Sequence, residues 1–352
     1  MSRFHDIQQS MMRLIVVTLF CLLGLGAARA DARAFTDSSG RTVEIPDRVV
    51  HAWPAGPPAE SLIYILAPEK LVGWTHRISP DAASFMANNA GALPVIGRLT
   101  GRGNTANLEA VIAAAPDLVL DVGTIGPTYV SLADRVQDQT HIPYVLVGGS
   151  LADTPKLLRT AGAVLGVSER AETLARYSEA ALAEVQKRVA AIPAAERPKA
   201  YMARGPRGLD TDVRGSINAE ALDFVGAQNV VAPGTSAGNL ATVSMEQVLA
   251  WQPDVIITID RNFINTVWTD PQWQGVKAVQ DKRVYLEPLY PFGWIDEPPG
   301  VNRTIGIRWL AKLLYPRIFP EDLRAETKRF YELFYHQAPT DAQLDQLLGK
   351  AS

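Results

Sequence analysis

The residues of this chain best suited to chemistry are arginines and aromatics in loop-like segments, not clustered nucleophiles or metal ligands. Arg98, Arg204 and Arg207 carry planar donor forks, and Trp53, Tyr290 and Trp294 carry flat apolar walls. Together they suit capture of an anionic chelate or an oxyanion. His51 and His76 end or follow short apolar runs and are candidates for a metal contact. No metal ligand is assigned, because no Cys/His cluster has the spacing of a zinc site. Gly234-Thr-Ser-Ala-Gly fits the G-x-S-x-G nucleophile elbow, with Asp296 and His336 following in hydrolase order. An elbow needs a strand running into the Ser and a helix leaving it, whereas Pro233 precedes this motif and Asn239-Leu-Ala-Thr continues as loop. Gly101-Arg-Gly-Asn-Thr-Ala imitates a dinucleotide fingerprint without a clear strand ahead of it. Binding is therefore expected, with no enzymatic step and no resident cofactor.

Composition narrows the class. With 34 Lys+Arg against 37 Asp+Glu and 47% hydrophobic residues, the chain is neither an extended disordered protein nor a nucleic-acid coat. Its 352 residues favour two domains or lobes. The longest apolar run, Leu14 to Ala28, follows Arg3 and Arg13 and ends in Ala28-Arg29-Ala30, the small-x-small pattern of a signal-peptidase site. An uninterrupted stretch of about 15 residues is short for a spanning helix. Cleavage after Ala30 is expected, removing three arginines, one aspartate and the single Cys21 and taking the net charge from −3 to −5. Phe20 and Thr18 replace the small residue and the Leu that precede a lipoprotein cysteine. A periplasmic, non-lipidated product is expected.

These candidate residues need elements to position them. Phe35 to Ile45 alternates around Ser-Ser-Gly and reads as a hairpin. Arg48 to Trp53, Leu71 to Trp74, Leu118 to Leu120 and Tyr144 to Val147 read as short strands among helix-patterned segments, the signature of an α/β layer with a mostly parallel sheet. Residues 107–121 match residues 244–258 without a gap, with Glu, Val, Ala, Pro and Asp identical. Each copy reads as an N-cap (Asn107 or Ser244), an acidic first turn, an amphipathic helix, a Pro-Asp stop and a buried strand. Two such copies 137 residues apart indicate a duplicated lobe. Between them Ser168 is expected to cap a helix over residues 169–192, ended by Pro193. The second half opens with the strand Lys199 to Arg204 and closes with helices over residues 303–314 and 322–334.

An exported chain, two α/β lobes each holding the Glu…Pro-Asp unit, and one long joining helix resemble the helical-backbone class of periplasmic substrate-binding proteins. These serve bacterial ABC importers of ferric siderophores, cobalamin, haem and some metals or oxyanions. The resemblance implies two Rossmann-like lobes joined by one α-helix: a leader over 1–30, a first lobe over 31–167, a connecting helix over 168–192 and a second lobe over 193–352. It implies a monomer with a stiff hinge, and partnership with a permease dimer and its ATPase subunits. Glu109 and Glu246 correspond to the family's acidic residues that pair with permease arginines, one per lobe. The ligand is expected between the lobes, at the carboxyl ends of the strands. A ferric siderophore or related metal chelate is the first expectation, with molybdate or tungstate, haem or a corrinoid as alternatives and a serine hydrolase at Ser236 a distant one. The segment Tyr290 to Arg303, crowded with Pro, Gly and aromatics, resembles a subgroup containing both iron-chelate and molybdate or tungstate binders.

Overall fold

The computed structural model describes residues 32–87, 89–101, 106–236 and 238–349. The expected leader with Cys21, residues 102–105 of the Gly101 segment and Ala237 of the Ser236 motif lie outside them. Strands β1 (Ala32–Thr36) and β2 (Thr42–Pro46) form the expected antiparallel hairpin. Its turn is built on Asp37, whose carboxylate accepts hydrogen bonds from the Ser39 and Arg41 amides at 2.9 and 3.1 Å.

The first parallel sheet has the order β3-β4-β5, from β3 (Ala52–Pro54), β4 (Leu118–Gly123) and β5 (Tyr144–Gly148). Helices α1 (Pro57–Leu66), α2 (Pro80–Ser84), α3 (Leu108–Ala114), α4 (Pro127–Thr140) and α5 (Thr154–Leu165) surround it. Leu71 to Trp74 makes only isolated bridges, Ala52 to Leu71 and Trp74 to Val95, instead of the expected strand. The chain there presses so close to the next segment that a Cβ on Gly73 would lie 2.6 Å from the Pro94 carbonyl oxygen.

Helix α6 (Ser168–Ala190) runs 23 residues, about 35 Å at 1.5 Å per residue. Ala171, Leu174, Ala175, Ser178, Ala181, Leu182, Val185 and Val189 are buried at helical spacing. Ser168 is the first helical residue instead of the cap, a role taken by the Val167 backbone. Beyond it, β6 (Lys199–Ala203), β8 (Gln228–Asn229), β10 (Val255–Thr258) and β11 (Val284–Leu286) form a second parallel sheet in the order β11-β10-β6-β8. β7 (Asp210–Asp212) and β9 (Leu240–Thr242) pair antiparallel beside it. Helices α7 (Glu220–Phe224), α8 (Met245–Trp251), α9 (Arg261–Thr266) and α10 (Lys277–Gln280) connect these strands, and α11 (Arg303–Leu314), α12 (Leu323–Tyr335) and α13 (Asp341–Leu348) close the described chain. Helix α13 had no counterpart in the sequence reading.

Each sheet buries both faces. Leu118, Leu120, Ala200, Met202, Val255 and Ile257 join α6 in one continuous core that spans both halves. Alternate residues turn the other way: Trp53 and Val119 into a core private to the first lobe, Tyr201 and Ile256 into one private to the second. The last helices return to the first lobe, where the Tyr64 hydroxyl donates to the Tyr335 carbonyl at 2.9 Å and Arg170 donates to the Ile65 and Leu333 carbonyls at 2.8 and 2.9 Å.

Candidate functional site

The carboxyl ends of β4 and β5 face the β7–α7 loop across a cavity of about 490 Å³. Its first-lobe wall includes Gly123, Thr124, Gly149, Ser150 and Lys156, and Ser216, Ile217, Glu220 and Asn239 form the opposite wall. The two strand ends meet through glycines, since a Cβ on Gly149 would lie 2.9 Å from the Gly123 Cα. Arg303, only 1% exposed, ties the cavity shut at its base. It donates to the Gly149 carbonyl at 2.6 Å, the Ile217 carbonyl at 3.0 Å and the Glu220 carboxylate at 2.7 Å. Glu220, itself half-buried, in turn accepts from the Leu151 amide at 2.7 Å, so one ion pair anchored on a buried arginine bridges both lobes. Within β4, Asp121 accepts from the Thr100 and Tyr144 hydroxyls at 3.2 and 2.9 Å, and burial pushes its carboxyl up to about 6.

A second group of charges lies at the facing loops. Glu60, in the first turn of α1, is fully buried; one oxygen accepts from the Thr75 amide at 2.5 Å and the other lies 3.0 Å from His76 Nδ1 as an ion pair. That pairing raises the His76 pKa and favours its imidazolium, while the side chain remains 54% exposed. Arg98 is half-buried and near enough to oppose the His76 charge electrostatically. From the other lobe Glu297 opens toward the same region, its carboxyl raised by desolvation despite the nearby Arg204 and His76. Glu287, with almost no solvent access, has its carboxyl pKa raised by burial and by the nearby Glu297. Tyr290 reaches across the lobes: its hydroxyl donates to Asp81 at 3.0 Å, and its ring stacks on Phe85 with centroids 5.7 Å apart. The Arg261 guanidinium lies 5.1 Å from that ring's centroid.

The expected contact residues thus divide. His76, Arg98 and Tyr290 belong to the facing loops. Arg207 is exposed on the β6–β7 turn. Arg204 is buried, and its fork is filled by Asp212, at 2.5 and 3.1 Å, and by Asp296. Asn218 binds both oxygens of that Asp296, at 2.7 and 2.9 Å. Trp53 and Trp294 lie in the interior instead of on the cleft: Trp53 packs in the first lobe's own core, and Trp294 donates from its indole to the Tyr331 hydroxyl at 3.1 Å. His51 is exposed just before β3, at the end of that strand remote from the cavity. Sequence reasoning passed over Glu60, Glu220, Glu297 and Arg303. A charge inside the apolar run that forms α1, and one opening the apolar helix α11, were the available signals. The Ser236 hydroxyl accepts from the Gly238 amide within a loop, while Asp296 is engaged by Arg204 and His336 bonds the Tyr64 carbonyl, so no triad assembles. Among the described residues no group of three or more His, Cys, Asp or Glu is placed to hold a metal ion.

Glu109 and Glu246 occupy matched sites. Helices α3 and α8 each run seven residues, each capped by a side chain that accepts from the third helical amide (Asn107 from Ala110, Ser244 from Gln247). Each ends in a left-handed residue, Ala115 at φ 43° and Gln252 at φ 45°. The Asp of each Pro-Asp stop accepts from the backbone ahead of the neighbouring strand, Asp117 from His51 and Asp254 from Lys199. Both glutamates are exposed.

Two parallel-sheet lobes with a ligand-sized cavity between them and a helix along their back define a bilobal solute binder. The chain belongs to the family of periplasmic binding proteins, whose model matches residues 59–289. It is 27% identical to the molybdate-binding protein MolA of Haemophilus influenzae, over 92% of this chain and 97% of MolA. An ABC transporter solute-binding protein from Sulfurospirillum deleyianum superimposes with a TM-score of 0.83 at 31% identity, covering 90% of this chain and 99% of that one. The MolA structure with bound molybdate gives 0.71 at 24% identity, over 88% and 99% of the two chains, which bears on the fold alone. The protein is thus a periplasmic ABC substrate-binding protein, and binding proteins of this family work with permease and ATPase components on small ligands. That its named relatives are binding proteins supports a non-enzymatic role. No helix among the described residues is long and apolar enough to cross a membrane.

Proposed function

We propose that the protein captures a compact oxyanion of the molybdate or tungstate kind between its lobes and delivers it to the permease. The observation that carries this reading is the His76–Glu60 pair, a buried carboxylate 3.0 Å from a half-exposed imidazole whose charged form it favours, beside Arg98. Arg207 and Tyr290 complete the proposed contacts, with Arg204 holding Asp212 and Asp296 in place behind them. The separate cavity at the strand ends, which none of these residues lines, adds hydroxyls, backbone amides and Lys156 alongside the carboxylates of Asp153 and Glu220. With Trp53 and Trp294 interior, the broad apolar walls that a ferric siderophore, haem or corrinoid would use are reduced to Tyr290. The name of the MolA relative points the same way.

In this reading the leader is cleaved after Ala30, the product is a non-lipidated monomer, and Glu109 and Glu246 dock it on the permease by charge complementarity. Titration calorimetry with molybdate, tungstate, sulfate and a panel of ferric chelates tests the ligand class. Tight binding of molybdate or tungstate is expected, and preferential binding of a ferric chelate overturns the oxyanion reading.

A further inference from the structure

We infer that each lobe meets the permease through a two-part foot, the carboxylate together with an apolar side chain one helical turn further on: Glu109 with Ile112, and Glu246 with Leu249. The inference rests on the docking reading above and extends it to residues that reading does not use. Positions three apart share one face of a helix. On α3 the only fully buried residue is Val111, while Glu109, Ala110, Ile112 and Ala113 are all exposed. Ile112 is 51% exposed, one of only a few large apolar side chains left so open among the described residues. Its own helix needs no such residue for packing, and no other charge interrupts that face. Alanines on either side let a partner backbone approach closely.

The second copy repeats the arrangement with a difference. On α8, Glu246 and Ala250 are exposed, while Leu249 is half-buried, packed in part against the second lobe's core and against Gly275, where a Cβ would come within 3.1 Å of its Cδ2, so that only its outer part remains for a partner. Gln247 is occupied internally, accepting from the Ser244 amide at 2.8 Å in the capping box. An exposed carboxylate beside an apolar residue, presented once per lobe on matching helices, fits a partner that offers a cation next to an apolar surface twice over. A two-subunit permease has that form.

Binding of the full-length, ligand-free protein to its cognate permease–ATPase complex in nanodiscs, followed by biolayer interferometry, tests the inference. Ile112→Ser is expected to weaken binding roughly tenfold, the effect of leaving an Ile side chain unburied. Ile112→Lys should abolish binding by setting a cation against a cation, and Ile112→Leu should retain it. The exposure of Ile112 leaves folding intact in all three, which a thermal melt checks. If Glu109→Gln/Glu246→Gln weakens binding and the Ile112 variants do not, the two-part foot is overturned and the docking reading stands. If neither set weakens binding, both fail.

Discussion

His76 is half in solvent, yet its charge is governed by a carboxylate with no solvent access at all. Its pKa is raised from 6.5, so the imidazolium and its attraction for an anion persist below the raised value and are lost as pH climbs through it. Glu297 works in the same direction, because its raised carboxyl is neutral at low pH and adds a repelling charge as pH rises. Oxyanion affinity measured by calorimetry should therefore fall with rising pH, and Glu60→Gln should move the His76 part of that fall back toward 6.5. Affinity that stays flat across this window would remove His76 from the site. Asp121 gives a stability counterpart. Its carboxyl is raised from 3.8 to about 6, so the folded state holds a proton that the unfolded chain releases. That contribution is full below 3.8 and is lost as pH rises to about 6. Urea unfolding should show about 3 kcal/mol lost over this interval, and Asp121→Asn should abolish the dependence. At this scale the sequence was least readable. Arg204 offers the same fork in sequence whether free or filled, and the two carboxylates that fill it, Asp212 and Asp296, lie 84 positions apart. Trp53 sits on a strand buried on both faces, and such a strand lacks the polar alternation that tells an inward ring from an outward one.

The elements themselves were legible because local rules set them. Caps and apolar periodicity located α3, α8, α11 and α12 to within a residue or two, and the internal repeat anticipated the matched geometry of α3 and α8. Contacts between elements decide the exceptions. Gly306, inside α11, illustrates how such a contact reverses a propensity. Alanine is normally the better helix former by about 1 kcal/mol. Here a Cβ would run into the Trp294 backbone carbonyl, which has packed itself into the space the glycine leaves. Gly306→Ala should therefore destabilise the protein, by about 2 kcal/mol as for other overpacked cores, in denaturant titration. An unchanged or raised midpoint would mean that the Tyr290 to Arg303 segment shifts freely.

At the scale of the molecule, the two lobes are not independent. One apolar cluster runs from the first sheet through α6 to the second sheet and α12, and Arg303 fastens the front. Calorimetry should show a single unfolding transition, because neither sheet can lose its shared face without exposing the other's. Two separable transitions would place a boundary inside that cluster. The same continuity supports a hinge of small amplitude, so scattering profiles with and without ligand should nearly superimpose. The return of α12 to the first lobe also has a bearing on biosynthesis. Tyr64 finds its partner Tyr335 only 271 positions later, and Ile65 and Leu333 share the Arg170 guanidinium. A ribosome must therefore finish nearly the whole chain before the first lobe can gain these last contacts, so its closure is coupled to the completion of synthesis.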